Sequence, residues 1–482
     1  MPAYAKLVRM PTKTKTVLYE LNAPVYLRRL SDTYGQQLTL GTIPDKELDR
    51  LADLGVEMVW LMGVWERSPR SKEIGEHDTS LQALFSEVLP DMQTEDSIGS
   101  AYAIRRYSVS RVLGGEAALA SFRKHLQARG IRLMLDFVPN HTAPDHPWAS
   151  EHPEYYIQGS AADLQRDPAS FIRCGDHVFA NGRDPQFPAW SDVVQLNAFS
   201  PGYRQAAIET LQAMAKLCDG ARCDMAMLML NDIFGKVWEG RAGTVPDTDF
   251  WQEVIAAVRT TSPDFIFIAE TYWDTEQQLI SQGFDYCYDK PLYDHLLEER
   301  GEAINTYLRN TQEYGQHLVR FIENHDEERA AKVYVVEREK AAAAVIATLP
   351  GLTLWHDGQL EGYETRIPVH LGRGPDENTD SQLLHFYTRL LATVSTWNLG
   401  QSTWQLLDSA ADDVISYIWV NATSTYVVII NYSTQKTRIK LPLPTTTDAV
   451  LTDELSGARF TMAKDTHSLQ CDLAPWQILL LP

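Results

Sequence analysis

Long apolar runs are missing from this sequence. No stretch approaches the roughly 18 residues that a membrane-spanning helix needs, so no membrane partner is expected. Cationic side chains are scarce: 43 Lys and Arg stand against 64 Asp and Glu, a formal charge of -21. Phosphate binding runs on clustered Lys and Arg, which argues against nucleic acid or an anionic membrane face as a partner. Cysteine is rare too, with five residues at 174, 218, 223, 287 and 471, odd in number and without metal-ligand spacing. Reduced thiols in a cytoplasmic protein are the simplest account. Residues 1–20 have no apolar segment before Thr16-Val17-Leu18-Tyr19, so no secretory signal is expected. A glycine-rich G-x-G-x-x-G turn does not follow the first apolar strand, which weighs against a doubly wound dinucleotide fold.

What the chain does have is ordinary core-forming material. Of 482 residues, 44% are hydrophobic and 22% charged, enough apolar surface to offset ordering entropy and exclude disorder for most of the chain. Aromatics are plentiful, with 12 Trp, 21 Tyr and 15 Phe. Most such rings serve cores, but Trp and Tyr faces also match the C–H surface of a pyranose.

Short apolar segments alternate with helical ones along the first ~400 residues. Strands are expected at Thr16–Leu21, Val56–Met62, Ile131–Phe137, Gly220–Met225, Phe265–Glu270, Phe284–Tyr288, His317–Glu323 and Gly351–Trp355. Helices are expected at Pro44–Leu54, Gly115–Arg129, Tyr203–Leu217, Asp247–Thr260, Thr275–Ser281, Pro291–Asn310, Glu327–Thr348 and Ser381–Thr396. Eight strand–helix units of this kind predict an α/β fold, a (β/α)8 TIM barrel of parallel strands sheathed by helices. Two connections, Gly63–Gly114 and Val138–Gly202, are too long for plain loops, and the second reads as a short inserted subdomain after strand 3. After Trp397 the pattern changes to strands alone, at Val414–Val420, Thr425–Asn431, Thr437–Leu441 and Trp476–Leu480. That predicts a C-terminal antiparallel β-sandwich. The expected division is 1–138 with 203–398 for the barrel, 139–202 for the insert, and 399–482 for the sandwich.

Function in such barrels collects at the C-terminal ends of the strands. Four strands here end on ionisable residues: Asp136-Phe137-Val138-Pro139-Asn140-His141, Arg222-Cys223-Asp224, Ala269-Glu270 and Glu323-Asn324-His325-Asp326. Any one of these acids reads equally as a helix cap or a surface charge. Four together at the working end of one barrel point to chemistry.

These blocks resemble the α-amylase family of glycoside hydrolases, family 13. Asp136–His141 matches its D-x-x-x-N-H block, Gly220–Asp224 its G-x-R-x-D block, Glu270 its acid block, and Asn324-His325-Asp326 its N-H-D block. The segments Leu349–Gly351 and Ala189–Asn197 are similar to its eighth-strand region and the end of its inserted domain. The resemblance implies a retaining α-glycosidase acting on α-glucosidic bonds. Asp224 would be the nucleophile that forms a β-glycosyl ester, Glu270 the acid and base, and Asp326 the third acid that binds sugar hydroxyls. Arg222, two residues from Asp224, shares its side of the strand and would hold that carboxylate in place. His141 and His325 would bind hydroxyls at the cleavage site, Tyr102 would stack under the reacting ring, and Asp136 would orient its loop and Arg222. A core-packing role for Tyr102 stays open, as it does for the weaker candidates Trp65, Trp190, Trp273 and Trp355.

The chain also departs from the family pattern. Ala103 follows Tyr102 where many members carry Asp, and Met227 and Leu228 stand where many have a polar pair. Classical endo-amylase specificity is therefore not expected. Asn140 matches a family calcium ligand, which makes calcium the one cofactor to consider, although a hard cation wants six to eight oxygens. The expected partner is an α-linked oligosaccharide or disaccharide, with hydrolysis or transglycosylation as the outcome. A glucosyltransferase or phosphorylase of the same family is the alternative, and no basic cluster marks a phosphate site. A non-catalytic carbohydrate-binding relative is the remaining one, and it sits poorly with three intact acids.

Overall fold

The computed structural model describes residues 15–444, 450–463 and 467–482. Its centre is a closed parallel barrel of eight strands: β1 (Lys15–Asn22), β2 (Met58–Met62), β3 (Arg132–Phe137), β4 (Gly220–Cys223), β5 (Ile266–Ala269), β6 (Tyr286–Tyr288), β7 (Leu318–Arg320) and β8 (Gly351–His356). Each strand pairs with its sequence neighbours, and β1 closes the ring by pairing with both β2 and β8. All eight coincide with the strands expected from sequence, with ends that differ by a few residues.

The two-residue period of a strand sends alternate side chains to opposite faces. Leu18, Met58, Trp60, Met134, Ile268, Val319, Leu352 and Leu354 fill the barrel interior. Their neighbours Tyr19, Leu21, Val59, Leu61, Leu133 and Leu135 pack outward under the helices. Continuing the inward series one step toward the C-terminal ends gives Glu20 after Leu18, Asp136 after Met134, and Glu270 after Ile268. On β4 the same series runs Gly220, Arg222, Asp224. The apolar plug and the polar layer above it thus belong to one set of inward positions. Gly220 fits this plug because a Cβ there would lie 2.7 Å from the Ile266 carbonyl oxygen and 2.8 Å from Met134 Cε.

The connection after β2, too long for a plain loop, holds the hairpin Trp65–Arg67 with Ile104–Val109 and the helices Pro69–His77 and Thr79–Val88. Their start signals are present. Ser68 Oγ accepts the Ser71 N–H, and Asp78 Oδ1 accepts those of Ser80 and Leu81. A helix at Ala23–Tyr34, directly after β1, stands in addition to the expected helices. The expected single helix Pro291–Asn310 is two, Lys290–Glu298 and Gly301–Asn310. The second begins where Gly301 lies against the backbone of Asp413. After β3 the inserted segment forms an antiparallel four-stranded sheet from His141–Thr142, Phe171–Cys174, His177–Gly182 and Trp190–Gln195.

The C-terminal sandwich is built on a sheet of Thr403–Leu406, Val414–Val420, Thr425–Asn431 and Ile478–Leu481. Ile415, Tyr417 and Trp419 on one face join the barrel's outer core. Val414, Ile418, Val427 and Ile429 on the other meet the second layer, where Thr437–Pro442 pairs with Ser468–Leu473. Trp419 Nε1 donates to the Thr348 carbonyl at 2.8 Å, tying this sheet to the barrel. The secretory-signal expectation rests largely on residues 1–14, outside the described residues. Among those described, no helix is long and apolar enough to cross a membrane.

Gly220→Ala should overpack the barrel interior and cost about 2 kcal/mol. A urea titration followed by tryptophan fluorescence is expected to show a lowered midpoint; an unchanged midpoint would contradict the packing described.

Candidate active site

The inward polar layer converges on Arg222, which is 1% exposed. Its Nη1 donates to Asp224 Oδ1 at 2.7 Å and lies 3.5 Å from Asp136 Oδ1. Nη2 sits 2.9 Å from Glu270 Oε2, an ion contact without the alignment of a hydrogen bond. The guanidinium carbon lies 5.0, 5.4 and 5.7 Å from the ring centroids of Trp60, Tyr102 and Tyr288. One cation therefore serves three carboxylates inside a cage of aromatic faces.

Those carboxylates are buried, and burial disfavours the charged form. Glu270 is pushed up to about 7 by burial, with Arg222 pulling down and the charges of Asp224 and Asp326 pushing further up. It accepts the Met225 N–H on Oε2 at 2.5 Å and the Tyr272 hydroxyl on Oε1 at 3.2 Å. Met225 adopts left-handed backbone, φ 42°, directly after Asp224. Asp224 is also raised by burial, while the Arg222 contact opposes the shift. Asp136 rises to about 7 for the same leading reason.

Asp326 differs, because its side chain is 46% exposed and its Oδ2 lies 3.0 Å from His325 Nε2. Partial enclosure raises its pKa, but His325 outweighs that and, with Arg222 and Arg366, holds the carboxyl down to about 2. Tyr102 stacks on His325 with centroids 5.5 Å apart and its hydroxyl 2.8 Å from Nε2. His141 is buried and lowered to about 3 by desolvation, hence neutral, with Trp190 set edge-on against it. The structure thus brings Asp224, Glu270, Asp326, Arg222, His325 and Tyr102 together, with His141 at the edge beside the inserted sheet.

Among the weaker candidates, Trp65 and Trp355 are core residues, 2% and 1% exposed. Trp65 Nε1 donates to the Asp136 carbonyl and Trp355 packs edge-on against Tyr387. Trp273 is exposed three residues after Glu270, in left-handed backbone with Asp274. Met227 and Leu228 point into the outer core, and Ala103 packs against Ala143, Val193 and Trp190. Three groups escaped the sequence reading: Tyr272, Tyr288 and Glu20. Glu20 was recoverable, since it lies two residues beyond Leu18 on the inward face of β1.

Asn140 does not offer calcium a site. Its Oδ1 accepts a hydrogen bond from Gln195 Nε2 at 2.8 Å, and that nitrogen also reaches the Asn140 and Leu196 carbonyls at 2.8 and 3.0 Å. The oxygens that a hard cation would need are turned onto an amide NH2, whose hydrogens repel a cation. Among the described residues no cluster of three or more His, Cys, Asp and Glu is arranged to hold a metal. Treatment with EDTA is therefore expected to leave the melting temperature unchanged; a drop reversed by added calcium would contradict this.

Comparison with known proteins agrees with this geometry. A family model described as "Alpha amylase, catalytic domain" matches residues 25–382. "Alpha-amylase MalA" of Haloarcula japonica is 24% identical over 466 residues, covering 92% of this chain and 59% of that protein. The "Alpha-1,4-glucan:maltose-1-phosphate maltosyltransferase" of Arcanobacterium haemolyticum is 23% identical, over 74% of this chain and 46% of that one. The chain thus spans about half to three-fifths of the length of these two relatives. In fold it is similar to a noncanonic maltogenic α-amylase, AmyB from Thermotoga neapolitana, with a TM-score of 0.70, 19% identity, and coverage of 97% and 98% of the two chains. A catalytic-domain match over most of the chain, on a barrel with its acids at the strand ends, places this protein in the α-amylase family of glycoside hydrolases.

Proposed function

We propose that this protein is a retaining α-glycosidase acting on α-glucosidic bonds of oligosaccharides, with water or a sugar hydroxyl as acceptor. The observation that carries the reading is the sharing of Arg222 by Asp224 and Glu270, at 2.7 and 2.9 Å. Two carboxylates on one cation, with a third acid nearby, titrate apart rather than together, and retention requires one acid ionised and one protonated.

In the first step an Asp224 oxygen attacks the anomeric carbon from the β face. The C1–O bond breaks, its electron pair stays on the leaving oxygen, and that oxygen takes the proton of Glu270. In the second step the Glu270 carboxylate removes a proton from water or a sugar hydroxyl. The freed oxygen attacks C1, and Asp224 leaves as a carboxylate. Asp326 and His325 would hold ring hydroxyls, with Tyr102 beneath the ring and neutral His141 at its edge. Arg222 keeps Asp224 ionised and in position.

A cavity of about 720 Å³ opens beside His325, lined by Asn22, Arg29, Asp96, His356, Asp357 and Arg373 among others. It lies above β1 and β8, across the barrel from the Glu270 strand. The leaving group must sit at Glu270, so this cavity lies on the glycone side. Ala103 also lacks the carboxylate that would clamp a terminal glucose. Both features support a glycone of more than one ring, and the division of the chain expected above fits this reading. Five unpaired thiols support a reducing compartment.

Product analysis on maltose, trehalose, sucrose, isomaltose and maltopentaose, followed by anomer-resolved NMR, tests the reading. Wild type should give α-configured products, and Asp224→Asn should lose about 10⁴-fold in kcat. Inverted products, or turnover that survives the substitution, would overturn it. On the cavity argument kcat/KM should rise at least ~10-fold from maltose to maltopentaose, and a flat series would remove that inference. Glu270 must also be protonated to act first. With its pKa at about 7, kcat/KM should fall about tenfold per unit above that pH. A rate constant up to pH 9 would exclude Glu270 as the acid.

A further inference from the structure

Glu20 is fully buried at the C-terminal end of β1, beside Trp60 on β2 and His356 on β8. No proposed step uses it, yet its Oε1 lies 2.5 Å from His325 Nδ1. The other ring nitrogen, Nε2, faces the Tyr102 hydroxyl at 2.8 Å and Asp326 Oδ2 at 3.0 Å. Each imidazole nitrogen therefore meets a carboxylate. A neutral imidazole carries one N–H and one lone pair, so one carboxylate would face that lone pair. Only the imidazolium satisfies both.

We propose that Glu20 is a positioning residue of this site: by its contact with Nδ1 it holds His325 as an imidazolium whose Nε2–H is aimed at Asp326 and Tyr102. The proposal deepens the glycosidase reading and rests on it for its kinetic consequence. Its structural half stands on the contacts alone. The ring is clamped on every side. Tyr102 stacks on it, Trp60 meets it edge-on at 5.4 Å, and Glu20 fixes its rotation from below. Other charges that face this group are Asp136 on β3 and Asp224 on β4, and His356 and Arg222 face Glu20 itself. His325, together with Arg222, holds the Glu20 carboxyl below its usual range despite burial. The other carboxylate oxygen, Oε2, has no hydrogen-bond partner. The carboxylate therefore has one hydrogen-bonding task, and that task is His325.

The consequence reaches Asp326. A permanent positive charge 3.0 Å away keeps that acid ionised and its oxygens oriented for sugar hydroxyls. Without Glu20, His325 would release its Nδ1 proton more easily, and Asp326 would lose its charged partner as pH rises.

The test is Glu20→Gln, which keeps shape and a hydrogen-bond acceptor but removes the charge, read by NMR on 15N-histidine protein. The His325 signal is assigned by its loss in His325→Asn. In wild type it should stay imidazolium from pH 5 to pH 8. In Glu20→Gln its titration midpoint should fall by one unit or more, with kcat for maltopentaose reduced at least ~10-fold at pH 8 and less at pH 6. Glu20→Asp should restore the wild-type titration in part. A His325 that titrates identically in wild type and Glu20→Gln overturns the proposal, and so does a neutral ring in wild type at pH 6. The NMR readout needs no substrate, so its failure is distinguishable from failure of the glycosidase reading.

Discussion

A guanidinium enclosed by three carboxylates and three aromatic rings sets the terms for the rest of this molecule. Arg222 has no access to water, and an unpaired charge there would cost several kcal/mol. Its partners are Asp136, Asp224 and Glu270, which carry three potential negative charges against its one positive charge. That imbalance cannot be met by full ionisation in an enclosed site, so protons remain on the set near neutral pH. Asp136 and Glu270 both rise to about 7, whereas Asp326, nearer solvent and against His325, falls to about 2. Glu270, the group the proposed mechanism needs protonated, thus carries its proton near neutral pH while Asp326 stays ionised.

The barrel makes the arrangement rigid. Glu20, Asp136 and Glu270 are each the next inward residue above an apolar one, and Arg222 and Asp224 continue the inward series of β4, so their spacing is set by strand register rather than by loop conformation. Arg222 is held opposite Asp136 by the β3–β4 pairing and opposite Ile268 by β4–β5. Glu20 is placed against His356 and Trp60 by the closure of the ring at β1. The sandwich adds stiffness from outside, burying Tyr417 and Trp419 under the β8 side. Loops then vary around this frame, and here they leave Ala103 beside Tyr102 and an open cavity beside His325.

Much of this was legible in the residues because strand alternation and block spacing are local signals. Met134–Asp136 and Gly220–Asp224 show both their strand period and their chemistry in a few positions. Other features depend on distant partners. Glu20 looks like a stray charge in Thr16–Leu21 until ring closure sets it under His325, 305 positions away. Gln195 reads as an ordinary strand residue, and only the fold turns its amide onto Asn140. The break at Gly301 reflects the sandwich backbone at Asp413, a contact more than a hundred residues distant. The helices at Pro69–His77 and Thr79–Val88 are a different case. Their caps at Ser68 and Asp78 were readable, but weak amphipathic pattern between polar residues hid them.

The central claim is that Asp224 becomes covalently bonded to the sugar. Trapping with 5-fluoro-α-glucosyl fluoride, an activated donor whose fluorine slows breakdown of the ester, examines it most directly. Digestion and mass spectrometry should find the glycosyl adduct on the peptide that carries Asp224, and none in Asp224→Asn. An adduct on another residue, or turnover of the donor to an inverted product with no adduct, would contradict the account.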